Sequence, residues 1–142
     1  MGCGAYFAGK WSMLQWPNYW KDEIFRNITY LELIPIALAM FLWGSEFKNK
    51  KILFHCDNAA VVFIIDNKSS KSDRVMSLLR YIVYCSLSLN VQLKTRHTSS
   101  ITNTIADALS RGQVDRFKKA AIPLSNTSSV FGTFCVRSQQ AN

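Results

Sequence analysis

Ile52-Leu53-Phe54-His55-Cys56-Asp57-Asn58 reads as a buried strand that runs straight into an acidic residue. A short apolar run bounded by polar residues is the pattern of a strand inside an α/β sheet. Asp57 then stands where a strand ends and a helix begins. In open α/β sheets that carboxyl end is where ligands bind, because the strand is rigid and its exit leaves a crevice between neighbouring loops.

Upstream of this strand, Gly2 to Phe7 reads as a strand, and Lys10 to Trp20, with Trp11, Trp16, Pro17 and Trp20, as a hairpin and an aromatic-rich connection. Ile28 to about Phe47 is dense enough in apolar residues for a buried helix, with Pro35 placed near its first turn, where a missing N–H costs least. Glu32 interrupts that apolar run. Downstream, a short helix is expected from Asn58 to about Ile65, broken at Asn67 to Ser70. Ser72 can cap the next helix, whose Val75, Leu78, Leu79, Ile82 and Val83 share one face. Val91, Leu93 and Thr95 alternate with Gln92, Lys94 and Arg96, the period of a half-buried strand near a sheet edge. A loop from His97 to Ile101 leads into a last helix from about Thr102. The order of elements predicts an α/β domain with a mixed sheet flanked by helices over residues 1–122, followed by a loosely ordered polar tail over 123–142.

The chain has 142 residues, 49% hydrophobic and 18% charged, a globular composition long enough to bury a core without disulfides or a structural metal. Seventeen Lys and Arg against nine Asp and Glu give a net charge of +8, which favours a polyanionic partner such as nucleic acid. Cys3, Cys56, Cys85 and Cys135 lack Cys-x-x-Cys spacing, so they read as free thiols in a reducing, intracellular setting, cytoplasmic or nuclear. Met1 to Ala8 lacks the basic start and long apolar run of a signal peptide. The apolar run Leu33 to Trp43 is about half the length a membrane span needs, so it is expected to be a core helix with no membrane partner.

Three acids precede or sit inside apolar segments: Glu32, Asp57 and Asp107. A buried carboxylate is costly unless it is paired or binds a cation, and magnesium is the natural candidate because it takes carboxylate oxygens and keeps waters for a phosphate substrate. Each acid also has a plain structural reading. Asp57 can cap the helix that follows it, Glu32 can lie on the solvent edge of its helix, and Asp107 can pair with Arg111 one turn on. In the last helix Ile101, Ile105 and Leu109 form one stripe, and Asn103, Asp107 and Arg111 another about 200° round. Of the two histidines, His55 alternates with Leu53 and Asp57 and reads as a core or flanking residue, while His97 falls in a loop.

These residues carry a resemblance. Leu-Glu-Leu at 31 to 33, Cys-Asp-Asn at 56 to 58, and a His-x5-Asn-x3-Asp pattern from His97 through Asn103 to Asp107, running on as Ala-Leu-Ser-Arg111, resemble the type 1 ribonuclease H domain of retroelement polyproteins. The nearest likeness is to retrotransposons of the DIRS and tyrosine-recombinase kind, and it extends from Gly2 to about Pro123. The resemblance implies a five-stranded mixed sheet with helices on both sides, and cleavage of the RNA strand of an RNA–DNA hybrid. In such enzymes four carboxylates hold two magnesium ions that activate a water and stabilise the leaving oxygen. Carried over, Glu32, Asp57 and Asp107 are the metal ligands, His97 assists proton transfer or product release, and Asn58 and Asn103 contribute to substrate binding. A reverse transcriptase domain is the expected upstream neighbour in a parent polyprotein.

Two departures bear on activity. The family's first carboxylate belongs to an Asp-Ala-Ser segment shortly before the Gly-x-Gly-Ala that appears here as Gly2 to Ala5, so a truncated first strand and weak or absent cleavage are expected. Ser99 and Ser100 stand where the family's loop usually carries Pro and Gly. Two other readings compete: a non-catalytic nucleic-acid-binding module, and a poorly folded retroelement fragment.

Overall fold

The computed structural model describes residues 2–7, 10–56, 58–97, 115 and 133–134. In chain order these form β1 (Gly2–Phe7), β2 (Lys10–Gln15), α1 (Asp22–Arg26), α2 (Ile28–Phe47), β3 (Lys51–Cys56), α3 (Ala59–Asn67), α4 (Asp73–Ser88), β4 (Gln92–His97) and β5 (Thr133–Phe134). The architecture is mixed α/β, as the alternation of elements predicts. The strands divide into two small sheets, one in the order β2-β1-β5 and the other pairing β3 with β4, and no single five-stranded sheet is seen. Among the described residues no main-chain ladder joins β3 to β1 or β5. The segment 98–114, which includes most of the expected last helix, lies outside the described residues.

β1 and β2 form an antiparallel hairpin in the register Gly2↔Gln15 to Phe7↔Lys10. All six residues of β1 are buried, whereas β2 is exposed along most of its length. At Gly2 the strands meet so closely that a Cβ would sit 1.8 Å from the Leu14 carbonyl oxygen, so no side chain fits there. β3 and β4 are parallel, from Lys51↔Gln92 to Cys56↔His97. Their alternating burial follows the two-residue period, with Ile52, Phe54 and Cys56 fully inside.

The core helix is α2. It runs for 20 residues, Ile28–Phe47, the span expected for the buried helix, and with a mean hydropathy of 1.5 it is long and apolar enough to cross a membrane by length and composition, beyond the apolar run Leu33 to Trp43 at its centre. Here it is packed inside the domain, contributing Leu33, Ile36, Ala37, Met40, Trp43 and Phe47 to the main core. Pro35 lies inside the helix rather than in its first turn. At that position it removes one helical N–H donor, a cost the burial of the surrounding side chains offsets. α1 falls between the aromatic connection that ends at Trp20 and the helix from Ile28, a stretch whose sequence pattern marks no element. Five residues make too few turns to display a periodicity.

Side-chain caps set where the helices begin. Asn27 accepts from the Tyr30 N–H at 3.1 Å and Ser72 from the Val75 N–H at 3.4 Å, while Asn27 Nδ2 donates to Ser72 Oγ at 3.4 Å. The first turns of α2 and α4 are thereby tied together, and Arg74 adds a contact over the Tyr30 ring at 5.9 Å. At the other end Asn49 and Asn90 both take positive φ, the conformation asparagine tolerates best among residues with a side chain, and Asn90 Nδ2 donates to Asn49 Oδ1 at 3.0 Å. This pair aligns the starts of β3 and β4.

The thiols test the burial of β1 and β3. Cys3 and Cys56 are buried and Cys85 only half-buried, and burial pushes the Cys3 thiol up to about 12. In the native chain iodoacetamide should modify Cys85 well before Cys3 and Cys56, with the difference abolished in guanidinium, as read by peptide mass mapping. Equal native rates at Cys3 and Cys85 would show that β1 is not enclosed.

Candidate active site at the carboxyl end of the parallel pair

Because β3 and β4 are parallel, both carboxyl ends open on the same side, where the chain leaves Cys56 and His97. Cys56 and His97 are Cα partners, so the last residues of β3 and β4 lie side by side at one edge. His97 is the last residue of β4 and exposed, a correction to its expected place in a loop. The main-chain ladder continues one residue further than the alternation through Arg96 indicates.

Asn58 organises this edge. Helix α3 starts at Ala59 rather than at Asn58, and Asn58 is its N-cap, accepting from the Ala60 N–H at 2.8 Å and the Val61 N–H at 3.3 Å through Oδ1. The capping role left open for Asp57 is thus filled by Asn58. The other end of the same amide, Nδ2, donates to Glu32 Oε2 on α2. One side chain therefore closes the helix start and holds a carboxylate from another element. Cys56 Sγ donates weakly to the Asn58 carbonyl at 3.8 Å.

Glu32 is fully buried, which overturns the reading that puts it on a solvent edge. It lies in a stretch of α2, Leu31 to Ala37, that is buried without a break, so no amphipathic stripe is present to show which way it faces. A carboxylate withdrawn from water needs hydrogen bonds or a cation, and the Asn58 amide supplies one such partner. The connection across the fold from α2 to the β3–α3 junction could not be read from residues 26 positions apart.

His55 lies on the opposite face of β3 from Ile52, Phe54 and Cys56, since alternate residues face opposite sides. It is half-buried, and burial, followed by the Arg96 cation on the neighbouring strand, holds its imidazole below the usual histidine range. It is thus disfavoured as a cation. The reading of His55 as a flanking residue agrees with this place.

Of the expected site residues, Glu32 and Asn58 are brought into contact, and His97 lies at the same sheet end. Asp57, Asp107 and Asn103 lie outside the described residues. Among the described residues no group of three or more His, Cys, Asp and Glu could hold a metal ion. The donor chemistry at Glu32, a hard carboxylate oxygen in a dry site, is of the kind magnesium takes. No family model, no curated protein and no solved structure matches this chain.

Proposed function

We propose that this chain is a ribonuclease H-like domain of retroelement origin, acting on the RNA strand of RNA–DNA hybrids. The observation that carries this reading is the buried Glu32 carboxylate, held by Asn58 beside the exit of the parallel strand β3, with Asn58 next in sequence to Asp57. A second support is the net charge of +8, with exposed Lys94 and Arg96 on β4 beside His97 to meet phosphates. A single five-stranded mixed sheet with helices on both faces belongs to the same proposal.

In this reading Glu32, Asp57 and Asp107 would hold two magnesium ions, which would supply Lewis-acid stabilisation at a phosphate and a more acidic water. The chain's own groups do the rest. Asn58 fixes the rotamer of Glu32 and so positions a carboxylate that would otherwise have to be ordered at each turnover. His97, exposed at the end of a rigid strand, takes or returns a proton at its imidazole as the product leaves. Asn103 shapes the substrate loop, and Asn58 contributes to substrate binding through its place at the α3 N-terminus. Discrimination of RNA from DNA comes from contacts to 2′-hydroxyls, while cations hold phosphates of both strands. The setting is intracellular, with a reverse transcriptase domain upstream in the parent polyprotein.

These 142 residues offer three such carboxylates where the resemblance implies four, so cleavage by this stretch alone should be slow or absent. The test incubates the purified chain with hybrid and magnesium beside Asp57→Asn and beside a version extended upstream by an Asp-Ala-Ser strand. Cleavage by the extended version, lowered at least about a hundredfold by Asp57→Asn, is the expected result. Salt-sensitive hybrid binding without cleavage by any version would make the chain a non-catalytic binding module instead. Neither binding nor cleavage would remove the nucleic-acid reading altogether.

A further inference from the structure

α4 carries apolar residues on more of its surface than the domain covers. Val75, Leu79 and Ile82 face the core, and Met76 and Val83 follow two of these positions by one residue, about 100° round the helix. Leu87 continues that second stripe one turn on. Together with Tyr84 these side chains line a groove of about 310 Å³, with Leu79 at its floor. Tyr84 and Leu87 are 69% and 78% exposed, so the groove is shallow and open rather than a closed small-molecule pocket. Scattered exposed apolar residues need no explanation, but several sharing one concavity mark a contact surface.

The charged residues lining this groove are both cations, Lys68 and Arg80, and neither joins an ion pair among the described residues. Lys68 is the C-cap of α3 with a φ of 54°, a left-handed conformation in which glycine would end the helix with less strain. An occupant that brings carboxylates complements these two charges. The backbone of α4 is satisfied within the helix, so an extended segment laid here would find no main-chain partners, whereas a helix brings its own hydrogen bonds. A second copy is disfavoured by the +8 that each chain carries, and nucleic acid would leave Met76, Val83 and Leu87 uncovered.

We propose that this groove is the docking site for an acidic amphipathic helix of a partner protein. The apolar face of that helix lies along Met76, Val83 and Leu87, and its Glu or Asp residues meet Lys68 and Arg80. From Met76 to Leu87 the groove spans about 16 Å of α4, about three turns of a docked helix. The proposal does not depend on the ribonuclease reading.

The test measures the fluorescence anisotropy of a labelled synthetic peptide of about sixteen residues, Leu spaced three and four apart and Glu elsewhere, titrated with the full chain. Saturable binding is expected, weakened about tenfold by Leu87→Asn and about threefold by Arg80→Gln. Lys68→Gly should weaken it about as much as Arg80→Gln while the melting temperature stays level or rises, which separates loss of the cation from loss of the fold. The same peptide with Lys for Glu should bind at least about tenfold more weakly. No saturable binding, or equal binding of the two peptides, overturns the proposal. Binding that Leu87→Asn leaves unchanged places the peptide elsewhere and overturns it as well. A chain that sediments as a dimer, and as a monomer in Leu87→Asn, makes a second copy the occupant instead. Binding of an RNA–DNA hybrid that Leu87→Asn weakens makes the occupant nucleic acid.

Discussion

Replacing Asn58 with aspartate is expected to lower the melting temperature by about 10 °C or more, although aspartate caps helices as well as asparagine does. The cap itself survives, because one carboxylate oxygen can still accept from the Ala60 and Val61 N–H groups. What changes is the other end of the side chain, where Nδ2 donates to the fully buried Glu32. An oxygen in that place turns a donor facing an acceptor into two acceptors, and two carboxylates in contact cannot both ionise. Leaving a buried charge uncompensated costs about 3–5 kcal/mol, a large share of the stability of an ordinary domain.

The same physics provides the control. Glu32→Gln in the Asn58→Asp chain restores a donor to the pair and should recover most of the loss, a coupling that a double-mutant cycle measures directly. The pH dependence has a definite sign. In Asn58→Asp the pair binds a proton more tightly folded than unfolded, so the raised folded pKa makes the variant relatively more stable in acid, and that gain is lost as pH rises through it. Thermal melts of Asn58→Asp at pH 5 and pH 8 should therefore differ, with the deficit smaller at pH 5. A variant that melts like the parent at both would mean that Asn58 and Glu32 are not in contact.

Truncation of Phe47 to alanine should cost about 3–5 kcal/mol, comparable in size but different in cause. Phe47 is fully buried at the end of α2, edge-on to Phe7 of β1 with centroids 4.8 Å apart and to Phe54 of β3 at 6.2 Å. Since no ladder joins those two strands among the described residues, this ring is a side-chain bridge between the sheets. Its loss removes aromatic edge contacts on both sides and leaves a cavity where the sheets meet. A broadened unfolding transition should accompany the lower midpoint as the sheets uncouple. Phe41→Ala, on the same helix at 74% exposure, should stay within about 0.5 kcal/mol of the parent. Equal effects at positions 41 and 47 in denaturant melts would show that the burial assigned to α2 is wrong.

The two expectations differ in how far the sequence could anticipate them. The aromatic content near Phe47 and the length of the apolar run mark α2 as a core helix before any coordinates exist. That Phe47 lies against Phe7 and Phe54 depends on how α2 crosses both sheets. Likewise the capping potential of Asn58 is legible, since an asparagine stands just before an apolar helical run. Its partner Glu32 is not, because α2 is apolar on nearly all faces and carries no period from which to read a direction. The misplacement of His97 has a local cause: the alternation from Val91 ends in three polar residues, and polar residues look the same at a strand end and in a loop.

The sequence by itself determined the local elements: strands at Gly2–Phe7, within Lys51–Cys56 and through Gln92 to Arg96, a buried helix through Glu32, and an N-capped amphipathic α4. It did so because side-chain period, capping residues and turn-forming asparagines act over a few positions. It also supplied the acids and the basic surface on which the proposed chemistry rests. The tertiary structure alone decided that Glu32 is buried against Asn58, that the carboxyl ends of β3 and β4 share one edge, and that the strands divide into two sheets with β5 between them. Those outcomes come from packing and main-chain pairing between segments far apart in the chain. No local pattern records which distant backbone will satisfy a buried donor or acceptor.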